Sequence, residues 1–258
     1  GGDANNNLRG NDGDDVLAGA GGSDNLFGGN GVDTVTYEER AEPVSVTLDG
    51  DANDGAAGES DNVAPDVENV IGGTAGDTLT GNGFNNVLDG GAGADRLSGG
   101  DGNDIENGGD GNDRFIEGAA ANGADQMNGG PGTDAVAYGS RVDNLAVSLD
   151  GAPNDGALNE GDDVGAGVEN ATTGSGDDNL DGSASRNNLS GGRGKDSIAG
   201  GGSADDLSGG KGSDNIGAGD GEDDVSGGQS DDKLRGKAGK HRRQPHQFGD
   251  LIDAALYL

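Results

Sequence analysis

The feature that most constrains this chain is a nine-residue period. Asp15, Asp24 and Asp33 stand nine apart, and each is followed two residues later by a large aliphatic: Leu17, Leu26 and Val35. The phase returns at Asp77, Asn86, Asp95, Asp104 and Asp113, then after a step of twelve at Asp125 and, nine on, at Asp134. It runs unbroken from Asp178 through Asn187, Asp196, Asp205, Asp214 and Asp223 to Asp232. Across these 17 units the anchor is Asp in 15 and Asn in two, where random placement of 39 Asp in 258 residues gives two to three. Such a period marks a stack of repeated units, each too small to bury a core alone.

Composition alone argues against an ordinary fold. The formal net charge is −34, Gly accounts for 58 residues, and Leu, Ile, Val and Phe together make 42, about 16%. That balance lies in the range of disordered chains and excludes a conventional enzyme core, while the charge excludes nucleic acid and anionic membrane surfaces as partners. No apolar run approaches the length of a membrane span. With no Cys, neither a disulfide framework nor a thiolate metal site is available.

The period says what these residues are for. Around each aliphatic the pattern is polar, apolar, polar, as in Asn179-Leu180-Asp181, so a short strand points one side chain inward. The Gly-rich half turns the chain, and the anchor Asp adds a carboxylate to that turn. Units such as Gly28-Gly29-Asn30-Gly31-Val32-Asp33-Thr34-Val35-Thr36, residues 90–98 and residues 209–217 read GGxGxDxUx, with U a large aliphatic.

In these units the chain resembles the RTX, or haemolysin-type, calcium-binding repeat proteins. The resemblance implies an all-β fold, a right-handed parallel β-roll solenoid in which two nonapeptides make one coil. It also implies several Ca²⁺ ions as cofactors, held between coils by turn carbonyls and Asp carboxylates, the hard oxygen set that Ca²⁺ takes. The implied ligands are Asp15, Asp24, Asp33, Asp77, Asp95, Asp104, Asp113, Asp125, Asp134, Asp178, Asp196, Asp205, Asp214, Asp223 and Asp232. Stacked partners are then Asp15 with Asp33, Asp77 with Asp95 and Asp113, Asp178 with Asp196, Asp214 and Asp232, and Asp205 with Asp223. Calcium is expected to be weaker at Asn86 and Asn187. A single-file aliphatic core offsets too little of the ordering entropy, so the calcium-free chain is expected to be disordered.

Two stretches break the period. The gaps from Asp33 to Asp77 and from Asp134 to Asp178 are both 44 residues, and residues 37–73 match 138–174 at 17 of 37 positions. A cassette was therefore duplicated. The organisation expected is repeats at 1–36, insert 1 at 37–72, repeats at 73–137, insert 2 at 138–172, repeats at 173–235 and a basic, then apolar tail at 236–258, all in one solenoid domain. Within insert 1, residues 44–48 alternate like a strand and residues 67–71 return the chain to the roll. Each insert also carries an acidic stretch: Asp49, Asp51, Asn53, Asp54, Glu59 and Asp61, then Asp150, Asn154, Asp155, Glu160 and Asp162. These read as loops, poorly matched to an EF-hand, where an extra calcium competes with a solvated loop. Glu106 stands at a U position, and three extra residues precede Asp125 near Glu117 to Ala119. A locally shifted or open coil and a bulged loop are expected there.

The tail gathers Lys233, Arg235, Lys237, Lys240, Arg242 and Arg243, with the only histidines at His241 and His246. Residues 250–258 suggest a capping helix or an end read by type I secretion machinery. No HExxH, GxSxG or Cys–His pairing exists, so this chain is expected not to be an enzyme. It begins Gly1-Gly2-Asp3 without Met or a signal pattern, the mark of a piece of a longer or processed protein. The function expected is a secreted or cell-surface calcium-binding module that gives structural support. The alternatives are the C-terminal repeats of an exported protease, lipase or cytolysin, and an adhesin array with a surface partner.

Overall fold

The computed structural model describes residues 1–236 and, beyond them, the backbone of the short strands Arg242–Arg243 and Leu251–Ile252. The described residues are all strand, turn and bend, with no helix. None of them forms a helix long and apolar enough to cross a membrane. They form two compact units, one of residues 1–116 with 122–134, the other of 117–121 with the chain from 135 onward.

Each unit is a parallel β-solenoid of two facing sheets. In the first, one sheet orders Asn7–Asp12, Asn25–Asn30, Asp61–Val63, Ala52–Ala56, Val44–Thr47, Thr78–Thr80, Arg96–Ser98 and Arg114–Ile116. The facing sheet orders Val16–Leu17, Thr34–Thr36, Asn69–Ile71, Val87–Asp89, Ile105–Asn107 and Gln126–Asn128. Successive nonapeptides alternate between the sheets, so strands eighteen residues apart pair in register, as Leu79 does with Leu97 and Leu97 with Phe115. The second unit repeats this with Leu189, Leu207 and Val225 in one column and Leu180, Ile198, Ile216 and Leu234 in the other.

Short strands such as Thr78–Thr80 and Asn179–Asp181 bury only their central residue. Leu79, Leu97, Leu180, Leu189, Leu207 and Ile216 have no exposed surface, whereas the residues beside them are part or fully exposed. Each such side chain contributes roughly 1.5–3 kcal/mol of burial, so the core is a stack one residue wide in each sheet.

The inserts differ from expectation in one respect. Residues 49–61 are not an acidic loop. Val44–Thr47 pairs antiparallel with Ala52–Ala56, which pairs antiparallel with Asp61–Val63, and that strand returns parallel to Asn25–Asn30. Insert 2 repeats the meander with Leu145–Ser148, Pro153–Ala157 and Asp162–Val164. The reason is Asp54: its two carboxylate oxygens accept the N–H groups of Thr47 at 2.7 Å and Val63 at 2.9 Å, tying both neighbouring strands to the middle one. Asp155 does the same with Ser148 and Val164.

Glu106 is a second correction. Its strand neither shifts nor opens: Glu106 is fully buried and in register between Leu88 and Met127. The three extra residues are extruded as an exposed loop at 118–121, and the corner bond from Asp104 N–H to Asp125 spans it at 2.8 Å. The loop absorbs the length, so the coils on either side fix the register. In the tail, Leu251–Ile252 is a strand beside Lys233–Arg235 and not part of a helix. His241, His246 and the rest of the expected capping helix lie outside the described residues.

Candidate metal centre

The anchors stand at the corners between the two sheets. Fourteen of the fifteen Asp are buried, and Asp15, in the first coil, is half-buried. Where the repeats run uninterrupted the corners share one construction. The N–H of one anchor donates to Oδ1 of the anchor one coil on: Asp77 to Asp95 at 2.6 Å, Asp95 to Asp113 at 2.8 Å and Asp113 to Asp134 at 2.8 Å. Asp178, Asp196 and Asp214 donate in turn to Asp196, Asp214 and Asp232, each at 2.9 Å. Asp15 donates to Asp33 and Asp205 to Asp223. The structure therefore brings together the stacked sets read from the period.

The other oxygen is aimed elsewhere. Oδ2 of Asp15, Asp24, Asp33, Asp95, Asp104, Asp113, Asp196, Asp205 and Asp214 is buried without a hydrogen-bond partner. In each case it faces the first Gly of its own unit, and at Asp15, Asp33, Asp95, Asp113, Asp205 and Asp214 a carbonyl of the neighbouring level stands beside it. A methyl group on Gly90 would lie 2.5 Å from Asp95 Oδ2 and 2.6 Å from the Gly108 carbonyl oxygen, so those oxygens converge on one side of Gly90. The second Gly is required for another reason: Gly91 has φ +88°, and a side chain there would also strike the Gly73 carbonyl.

Burial without a counter-charge perturbs these acids. Asp95, Asp104, Asp196, Asp205 and Asp214 are pushed up to about 6 by desolvation, against the opposing pull of the N–H bond, with neighbouring carboxylates adding to the rise. Asp77, Asp113 and Asp178 move in the same direction for the same first cause. Orphaned, buried carboxylate oxygens beside carbonyls are a donor set for a hard divalent cation. The residues present fit Ca²⁺, which accepts irregular oxygen cages that Mg²⁺ resists.

The two Asn anchors have a structural reason. Asn86 Nδ2 donates to the Glu68 carbonyl at 2.9 Å and Asn187 Nδ2 to the Glu169 carbonyl at 2.7 Å. Each stands one coil beyond the end of an insert, where the neighbouring level presents a carbonyl to the anchor side chain and a carboxylate would be repelled.

Other members of the ladder were invisible to the period. Asp24 N–H donates to Asp61, 37 residues on, and Asp33 N–H to Glu68, 35 residues on. At the inserts a second network stands beside the ladder. Tyr37 OH donates to Asp61 Oδ2 at 3.0 Å while Arg40 grips Glu59 at 2.8 Å. Tyr138 OH donates to Asp162 at 2.8 Å, and the fully buried Arg141 side chain bridges Glu160 at 2.7 Å and Glu117 at 3.4 Å. The carboxylates of Glu117, Glu160 and Asp162 come within 4.8 Å of one another, with the Arg141 guanidinium supplying positive charge. The sequence signal was the identity between the copies of Tyr37 with Tyr138, Arg40 with Arg141, Glu59 with Glu160 and Asp61 with Asp162.

No curated protein matches the chain. The family model for the RTX calcium-binding nonapeptide repeat matches residues 1–35, 71–106, 119–140, 159–198, 172–207, 181–216, 199–234 and 217–240. These stretches cover more than half of the sequence and leave out almost all of insert 1. The corner geometry and these matches agree, and the chain belongs to the RTX calcium-binding nonapeptide repeat family.

Proposed function

We propose that this chain is a calcium-folded β-roll module of a secreted or cell-surface protein, giving structural support outside the cell and performing no chemistry on a substrate. The observation that carries the reading is the row of buried, unpartnered Oδ2 atoms facing neighbour-coil carbonyls. Bound there, Ca²⁺ supplies the counter-charge that stacked carboxylates lack. Binding favours only the ordered coils, so binding free energy becomes folding free energy. Millimolar calcium outside a cell would fold the module, and submicromolar calcium inside would leave it extended and exportable. The type I secretion route is the export path that suits such a chain.

The test is a calcium titration of the chelated protein followed by far-ultraviolet circular dichroism. A cooperative gain of β signal by millimolar Ca²⁺ is expected, with little response to Mg²⁺. No gain, or an equal response to Mg²⁺, overturns the reading.

A further inference from the structure

The solenoid resumes at the end of insert 1 through a segment with no Gly-rich turn, Ala64-Pro65-Asp66-Val67-Glu68. This segment nevertheless reproduces the oxygen arrangement of a repeat corner. Asp33 is fully buried and its Oδ2 has no partner. A methyl group on Gly28 would lie 2.5 Å from that oxygen and would also strike the Asp66 carbonyl. At the regular corner of Gly10, the corresponding oxygens are Asp15 Oδ2 and the Gly28 carbonyl, both at 2.6 Å. The Asp66 carbonyl thus stands where a Gly carbonyl stands elsewhere.

Two carboxylates beyond the nonapeptide frame this corner. Glu68 Oε2 accepts the Asp33 N–H at 2.8 Å, the bond that an anchor Asp makes in the repeats, and Asp66 Oδ1 accepts the Gly28 N–H at 3.2 Å. Each therefore keeps one carboxylate oxygen outside that backbone bond. Insert 2 offers an internal comparison: Glu169 matches Glu68, but Gly167 replaces Asp66.

We propose that Asp33, Asp66 and Glu68 hold one divalent cation of the Ca²⁺ class where insert 1 rejoins the solenoid, a site of which the repeat motif encodes only Asp33. The proposal rests on the calcium reading of the corners. The site makes the insert's exit respond to the same ion as the repeats, and the asymmetry at Gly167 confines its full charge to the first insert.

The experiment counts calcium per full-length chain by elemental analysis after equilibration at fixed free Ca²⁺. The double variant Asp66→Asn, Glu68→Gln keeps an acceptor for both N–H groups and removes both charges. It should fold in saturating calcium and carry one ion fewer than wild type. Asp95→Asn, within a repeat, is counted in parallel. A wild-type chain without bound calcium sinks the underlying reading. Bound calcium that falls with Asp95→Asn but not with the double variant overturns this site alone. Should the double variant lose its β signal, Glu68→Gln alone is counted, with the same loss expected and an unchanged count again overturning the site.

Discussion

Replacing Gly90 by Ala isolates the corner geometry. The Gly90 backbone lies outside the left-handed region, so any penalty comes from collision and not from strain. The added methyl would stand 2.5 Å from Asp95 Oδ2 and 2.6 Å from the Gly108 carbonyl, short of ordinary contact by nearly an ångström on both sides. Neither obstacle yields easily: one is backbone, and the other belongs to a carboxylate held by the Asp77 N–H at 2.6 Å. Overpacking of this sort costs about 1–3 kcal/mol. Where folding and calcium uptake are one equilibrium, the cost appears as a higher calcium midpoint. For about four ions taken up together, 2 kcal/mol spread over 4RT raises the midpoint roughly twofold. The assay is the dichroism titration with Gly83→Ala alongside, since nothing lies within 4 Å of a methyl group at Gly83. A Gly90→Ala midpoint indistinguishable from that of Gly83→Ala would refute the convergence of oxygens at this corner.

Three further outcomes are expected. Leu207→Ala empties a fully buried level between Leu189 and Val225 and should destabilise the calcium-loaded protein by about 2–5 kcal/mol in chemical unfolding; a loss under 1 kcal/mol contradicts the single-file core. Asn187→Asp restores the repeat motif yet sets a carboxylate against the Glu169 carbonyl, so it should lower the melting temperature at saturating calcium by the equivalent of about 1–3 kcal/mol, and a rise refutes the role given to Asn. Burial pushes Asp155 up to about 7, above its value in the unfolded chain, so its contribution to stability is full below about pH 4 and is lost as pH rises through 7. The difference in melting temperature between wild type and Asp155→Asn, both at saturating calcium, should therefore shift against wild type as pH rises across that window; a difference independent of pH excludes the contribution assigned to Asp155.

The period made the repeats legible because a slip of one residue would turn every aliphatic from core to solvent, leaving one register open. That constraint also explains why Glu106 did not shift its coil: Leu88 and Met127 on either side hold the phase, and a loop at 118–121 is the easier place to discard length. The meander strand Ala52–Ala56 was not legible. Its sequence, Ala-Asn-Asp-Gly-Ala, is poor in strand-forming residues, and it is a strand because Asp54 ties it to both neighbours. Asp61 and Glu68 were hidden for a related reason, since their ladder partners lie 37 and 35 residues away and no period connects them.

The ladder bond has a direction. An earlier coil donates its N–H and a later coil supplies the carboxylate, so Asp178 is fastened by Asp196, Asp196 by Asp214 and Asp214 by Asp232. In this column each anchor N–H finds its acceptor on the next coil and not on its own. In a chain that reaches calcium gradually, a level can be locked only when the next one, eighteen residues further along, has also arrived. When the N-terminal end leads, each level waits for the coil after it; when the C-terminal end leads, the acceptor is already in place and each level is fastened as it arrives.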